Sequence, residues 1–130
     1  VIKMGIQIIK IASGAADASG DSTKTTPEPV NGIIRAIELV FGSSSSSGMD
    51  TYITEEGSTT DQAILAVIGS ATSAWFYPYN YAMDTAGNDL EYASGYEIAV
   101  PFYVARPLTL VQDDQTEGKA VTAYIYVEKR

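Results

Sequence analysis

The chain has neither cysteine nor histidine among its 130 residues. The first absence excludes disulfides and thiolate ligands and leaves the redox compartment open, since a cysteine-free chain suits cytosol, extracellular medium or the surface of a particle. The second removes the side chain most used as general base and transition-metal ligand. Basic residues are also few: Lys3, Lys10, Lys24, Arg35, Arg106, Lys119, Lys129 and Arg130 are scattered among 16 acids, for a net charge of −8. No cluster exists to neutralise phosphates, so direct nucleic-acid binding is not expected. No apolar run approaches the roughly 20 residues of a membrane span. Residues 1–11 are apolar, but Lys3, Gln7 and Lys10 interrupt them, and they lack the order of a secretion signal. No membrane partner is expected.

What the chain does have is aromatic side chains, concentrated in one place. Five of the seven residues from Trp75 to Tyr81 are aromatic, around Pro78 and Asn80. Large amphipathic rings supply contact area at low entropic cost and are enriched at interfaces. In a strand only alternate rings face a core. Trp75, Tyr77, Tyr79 and Tyr81 share one parity, and core packing can account for part of that set. The rings left over point to a subunit interface or to a platform for sugar rings. The lack of neighbouring Arg, Asn and Gln clusters favours the interface.

The acids and serines give little sign of catalysis. No Gly-x-Ser-x-Gly elbow and no phosphate-binding glycine motif occurs. Glu55-Glu56 and Asp113-Asp114 are adjacent pairs whose side chains diverge in a strand. A glycosidase instead needs two carboxylates facing one another about 5 to 9 Å apart. Asp84, Asn88, Asp89 and Glu91 around Gly87 have the composition of a calcium loop without the EF-hand spacing, and read as a solvated turn. No enzymatic activity, catalytic residue, cofactor or metal site is expected.

The periodicity is that of short strands. Ile2, Met4, Ile6 and Ile8 alternate with Lys3, Gly5 and Gln7, predicting a first strand. Residues 13–29 are small and polar and end in Thr26-Pro27-Glu28-Pro29, which reads as a flexible linker. This divides the chain into an N-terminal strand with its linker or arm (1–29) and a sandwich domain (30–130). The arm either joins its own sheet or reaches a neighbouring subunit.

Residues 32–42 are apolar on both parities: Ile33, Ile37, Leu39 and Phe41 on one, Ile34, Ala36 and Val40 on the other. This suits a strand covered on two sides. Residues 43–47 are all serine and read as an exposed loop. The clearest strand is the last, with Val121, Ala123, Ile125 and Val127 facing a core and Thr122, Tyr124, Tyr126 and Glu128 facing solvent or a partner. Seven or eight such strands between Gly, Ser, Pro and Asp loops predict an all-β, jelly-roll-like antiparallel β-sandwich with an N-terminal extended arm.

The succession Gly32-Ile33-Ile34-Arg35-Ala36-Ile37, Asp50 to Thr54, Trp75-Phe76-Tyr77-Pro78, Glu97-Ile98-Ala99-Val100 and Leu108 to Val111, before a tyrosine-bearing last strand, resembles the cement or decoration proteins of tailed-bacteriophage capsids. The resemblance covers about residues 30 to 128. It implies a jelly-roll-like sandwich on the virion surface, assembled in the host cytoplasm. It further implies a subunit that binds and stabilises the major capsid protein shell and self-associates there. Contacts are expected from Ile2, Met4, Ile6, Ile8, Ile34, Val40, Phe76, Tyr77, Tyr79, Tyr81, Tyr124 and Tyr126. The alternatives are a receptor- or carbohydrate-binding module, or a tail-tube or head-completion subunit.

Overall fold

The computed structural model describes residues 5–57, 63–81, 83, 85, 86, 88, 91–93, 96, 97 and 99–129. Its central strand is β13 (Val121–Glu128), whose odd-numbered aliphatic side chains are fully buried while the even-numbered ones remain partly exposed. β13 pairs antiparallel on one side with β1 (Ile6–Ala12) and on the other with β3 (Gly32–Phe41). The far edge of β3 is shared by β6 (Ala74–Phe76) and β11 (Tyr103–Val104). Facing this sheet is a second, in the order β2 (Ser22–Thr25), β12 (Leu108–Asp113), β4 (Asp50–Glu55) and β5 (Ala63–Val67).

These pairings are nested. The first strand pairs with the last, the second with the last but one, the third with the broken strand β6/β11, and the fourth with the fifth, the pairs falling alternately in the two sheets. That order is a jelly roll, all-β and antiparallel. Ile11, Ile34, Ile37, Leu39, Ile53, Ile64, Leu108, Leu110 and Ile125 are the larger members of one cluster between the sheets, which also includes Val30. Each fully buried aliphatic side chain of this kind contributes roughly 1.5 to 3 kcal/mol.

Three features depart from the sequence reading. The first is the phase of β3. Tyr126 stands opposite Ala36 but Val127 stands opposite Ile34, which leaves Arg35 as an extra residue, a β-bulge. Beyond it the parity flips, so Ile34, expected at a contact surface, is 1% exposed and belongs to the core. From Ile37 onward the strand faces the core on one parity, with a step at Arg35, whereas at its start both parities are covered and Ile33 is buried beside Ile34. Arg35 donates from Nε to Glu128 Oε2 (2.9 Å) and forms an ion pair with that carboxylate. Just before the bulge, Gly32 has φ +144°, and a Cβ there would collide with the Glu128 carbonyl and lie 2.9 Å from Val127 Cγ1.

The second is the polar segment at 13–29, read as a linker. It contributes β2 to the second sheet and is fastened along its length. Val121 N donates to Ser13 Oγ (3.0 Å), the Ser19 and Asp21 amides donate to Asp17 Oδ1, and Leu108 N donates to Thr26 Oγ1 (3.0 Å). Small polar side chains here satisfy backbone groups, which a composition reading takes for disorder. β1 likewise pairs with its own chain.

The third refines the reading of the serine loop, which is a loop with Ser43, Ser44 and Ser47 exposed as expected, but is anchored at Ser45 and Ser46. Ser46 N donates to Gln115 Oε1 (2.9 Å), and Gln115 Nε2 reaches Ser45 Oγ (3.3 Å). Fully buried Gln112 donates from Nε2 to the carbonyls of Gly14 (3.2 Å) and Lys119 (3.0 Å). These two glutamines tie three loops together at one end of the sandwich.

Candidate functional site

The cross-strand register decides which side chains share a face. Ile6, Ile8 and Lys10 of β1 stand opposite Glu128, Tyr126 and Tyr124 of β13. Tyr126, Tyr124 and Thr122 stand opposite Ala36, Glu38 and Val40 of β3, and Glu38 stands opposite Trp75 of β6. All of these lie on the outer side of the first sheet, because the alternate residues Ile9, Ile11, Ile37, Leu39, Ala123, Ile125 and Phe76 form or pack against the core.

The outer side is rich in apolar and aromatic surface. Ile6 is 57% exposed, Ile8 54%, Trp75 46% and Tyr77 69%, with Val40 also exposed and Tyr124 and Tyr126 half-buried. Trp75 and Tyr77 together leave on the order of 200 Å² uncovered, taking roughly 200 Å² for each ring. The aliphatic side chains extend this toward the few hundred Å² that soluble monomers rarely leave exposed without a use.

The outer side of the second sheet is different in kind. Thr25, Thr109 and Thr54 stand in one row across it, with the first two hydroxyls 2.9 Å apart. At its end Asp50 stands opposite Asp113, and carboxylate oxygens of Asp50, Asp113 and Asp114 lie within 4.8 Å of one another. The Asp21 carboxyl is raised above its usual value of 3.8, first by its hydrogen bond to Asp113, then by burial and by the charges of Asp113, Asp17 and Asp114. Burial first, then Asp50 and Asp113 nearby, raises the Tyr52 phenol. The threonine row and this acidic end make both ends of the second face polar, with Thr23, Val111, Tyr52 and Ala66 in the row between, none of the larger ones highly exposed.

The aromatic run lies at the root of an insertion. The chain leaves the edge of β3 after Phe76 and returns to it at Tyr103. Between these points β7 (Tyr79–Tyr81) pairs with β10 (Ala99–Pro101), and β8 (Glu91–Ala93) pairs with β9 (Tyr96–Glu97). Pro101 stands opposite Tyr79 in the short two-stranded ribbon, a position that tolerates the missing ladder donor.

Of the expected contact residues, Ile6, Ile8, Val40, Tyr124 and Tyr126 lie on the outer face, with exposed Tyr77 directly following its β6 edge. Tyr79 is exposed on the insertion, and the backbone of Tyr81 lies in β7 opposite Ala99. Phe76 is corrected along with Ile34: it stands in register with Ile37 and packs against the core. Ile2 and Met4, and Asp84 and Asp89 of the acidic turn, lie outside the described residues. Trp75 is not among the expected contact residues, although it lies on this face. The short β6 turns Phe76 inward and Trp75 outward. The Asp50 contribution to the acidic end could not be read from the Asp113-Asp114 pair, because strand pairing alone brings it there.

No family model matches the chain, and no curated protein or solved structure matches it.

Proposed function

We propose that the protein is a structural attachment subunit, and specifically a cement or decoration subunit of a tailed-bacteriophage capsid. It would bind the major capsid protein shell through the outer face of the β1–β13–β3–β6 sheet. The observation that carries this reading is the asymmetry between the two outer faces. One is a threonine row with an acidic end, and the other presents Ile6, Ile8, Val40, Trp75 and Tyr126. Covering the second face removes apolar surface from water and favours attachment at roughly 25 cal/mol per Å² before association costs.

The jelly-roll strand order adds support by analogy only, since the fold occurs in viral capsids and also in lectins. A subunit that binds only the assembled shell stabilises that state by mass action, and many copies multiply a modest contact. The net charge of −8 suits an outward-facing protein with no direct contact to packaged nucleic acid.

The test is co-sedimentation with assembled shells of the major capsid protein from the source virion. Ile8→Glu places a charge on this face beside Tyr126 and should abolish attachment. Thr109→Glu, on the opposite face, should leave it intact. Equal attachment by both variants would overturn the assignment of the face.

A further inference from the structure

β1 and β2 are edge strands of different sheets, and both line one flank of the sandwich. A cleft of about 430 Å³ opens there between residues 7–12 and residues 24–30. Ile9, Ile11 and Val30 connect it to the core, Ile11 and Val30 as buried members and Ile9 packed against them. The cleft is thus a gap through which the core approaches solvent.

The backbone of β1 is aimed into this gap. Lys129 N donates to the Gly5 carbonyl (3.0 Å), and Ser13 N donates to the Val121 carbonyl (2.9 Å). The register between these points is unbroken, so the antiparallel alternation assigns the odd-numbered residues to hydrogen-bonded pairs with β13. The N–H and C=O groups of Ile6, Ile8, Lys10 and Ala12 consequently point away from β13. Among the described residues, no backbone group across the cleft bonds to them. β1 also lacks the usual protections of a free edge: it has no proline and no bulge, and Lys10 is its one charged residue.

The charge of the cleft says what would fit. In a chain with twice as many acids as bases, its charged residues are Lys10, Lys24 and a single acid, Glu28. We propose that the cleft takes an extended peptide strand from a partner protein, with apolar residues alternating with carboxylates. The strand adds to the free edge of β1, directs its apolar side chains toward Ile9, Ile11 and Val30, and sets its carboxylates on the outer side near Lys10. This is strand addition, in which the main chain supplies affinity and alternate side chains supply selectivity. The peptide uses the free backbone edge of β1, whereas the outer face uses the Ile6 and Ile8 side chains, so the two contacts share a strand but rest on different groups.

The probe is the synthetic peptide acetyl-Val-Glu-Val-Thr-Val-Glu-Val-amide, titrated into the ¹⁵N-labelled full chain, with a control peptide carrying Lys in place of Glu. The amide signals of Ile8 and Lys10 should shift and their hydrogen exchange should slow. The acidic peptide should bind roughly fivefold more tightly than the basic one, as a weak surface ion pair with Lys10 in place of a like-charge contact allows. Ile8→Pro removes a donor that faces the cleft and not β13, and should abolish the effect. Lys10→Glu, on the outer side of β1, should reverse the preference between the peptides. Absence of β1 shifts, or equal binding of both peptides, would overturn the proposal. So would Ile8 and Lys10 amides already protected without peptide in a protein that sediments as a dimer, since a second copy would then occupy the edge.

Discussion

Trp75 and Tyr126 hold their ring centroids 5.3 Å apart, with planes tilted by 48°, although they belong to strands on opposite sides of β3. The contact reaches across β3 where Ala36 stands in register with Tyr126, and a larger side chain at 36 would part the rings. The pair turns two strands into one continuous aromatic surface. Such tilted pairs contribute about 0.5 to 1.5 kcal/mol beyond their burial.

Trp75→Ala should therefore cost the isolated protein about 0.5 to 1.5 kcal/mol for the ring contact, on top of the burial of about half its side chain. At a partner contact, loss of a central tryptophan costs about 2 kcal/mol or more, roughly thirtyfold in affinity. Urea unfolding and shell binding measured on the same variant separate the two effects. Trp75 is also the single tryptophan, so its fluorescence reports this face alone, and acrylamide quenching should fall on attachment.

The bulge at Arg35 makes a contrast within one strand. Ile34→Ala should cost about 2 to 5 kcal/mol, as for other buried aliphatic truncations. Val40→Ala, on the exposed parity, should cost less than about 1 kcal/mol. Urea midpoints for the two variants decide it, and equal costs would mean that the phase step is wrong.

Gly32→Ala should be among the most damaging single changes in the molecule. Its φ of +144° is unsuited to an L side chain, and the Cβ would strike the Glu128 carbonyl of the neighbouring strand. Thermal unfolding should show a loss of several kcal/mol, in the range of the largest point-mutant effects. Gly118→Ala is the control, since it shares a positive φ of +81° but has no heavy atom within 4 Å of the added Cβ. It should cost much less.

Asp21 gives a signed pH dependence. Its carboxyl is raised in the folded protein, chiefly by the hydrogen bond to Asp113, so the native state binds the proton more tightly than the unfolded chain does. Its contribution to stability is fully present below 3.8 and is lost as pH rises through the raised value. Asp21→Asn should be more stable than the parent at neutral pH, with the advantage shrinking as pH falls toward about 4. Urea midpoints across that range check the trend.

The strands and their alternation were legible because side-chain period is a local property. Val121 to Val127 announced a core face, and the β1 alternation at Ile6 and Ile8 announced a strand, although the residues it packs on the core are Ile9 and Ile11. What stayed hidden depends on pairing between distant segments. Nothing near Arg35 marks it as the extra residue of a bulge, since only its register against β13 does so. Parity within Trp75 to Tyr81 could not be carried across Pro78, because the chain leaves β3 for a separate ribbon there. The small polar residues at 13–29 resembled a linker because their side chains serve backbone groups of other segments, among them Val121 and Leu108.

The most direct test is hydroxyl-radical footprinting of this chain on the intact source particle and free in solution, with the copy number counted in the same sample. The account predicts hundreds of copies per particle, with Ile8, Trp75, Tyr77 and Tyr126 protected on the particle and Thr54 and Thr109 unchanged. Equal labelling of Trp75 and Tyr77 in both states, or absence of the chain from the particle, would contradict it.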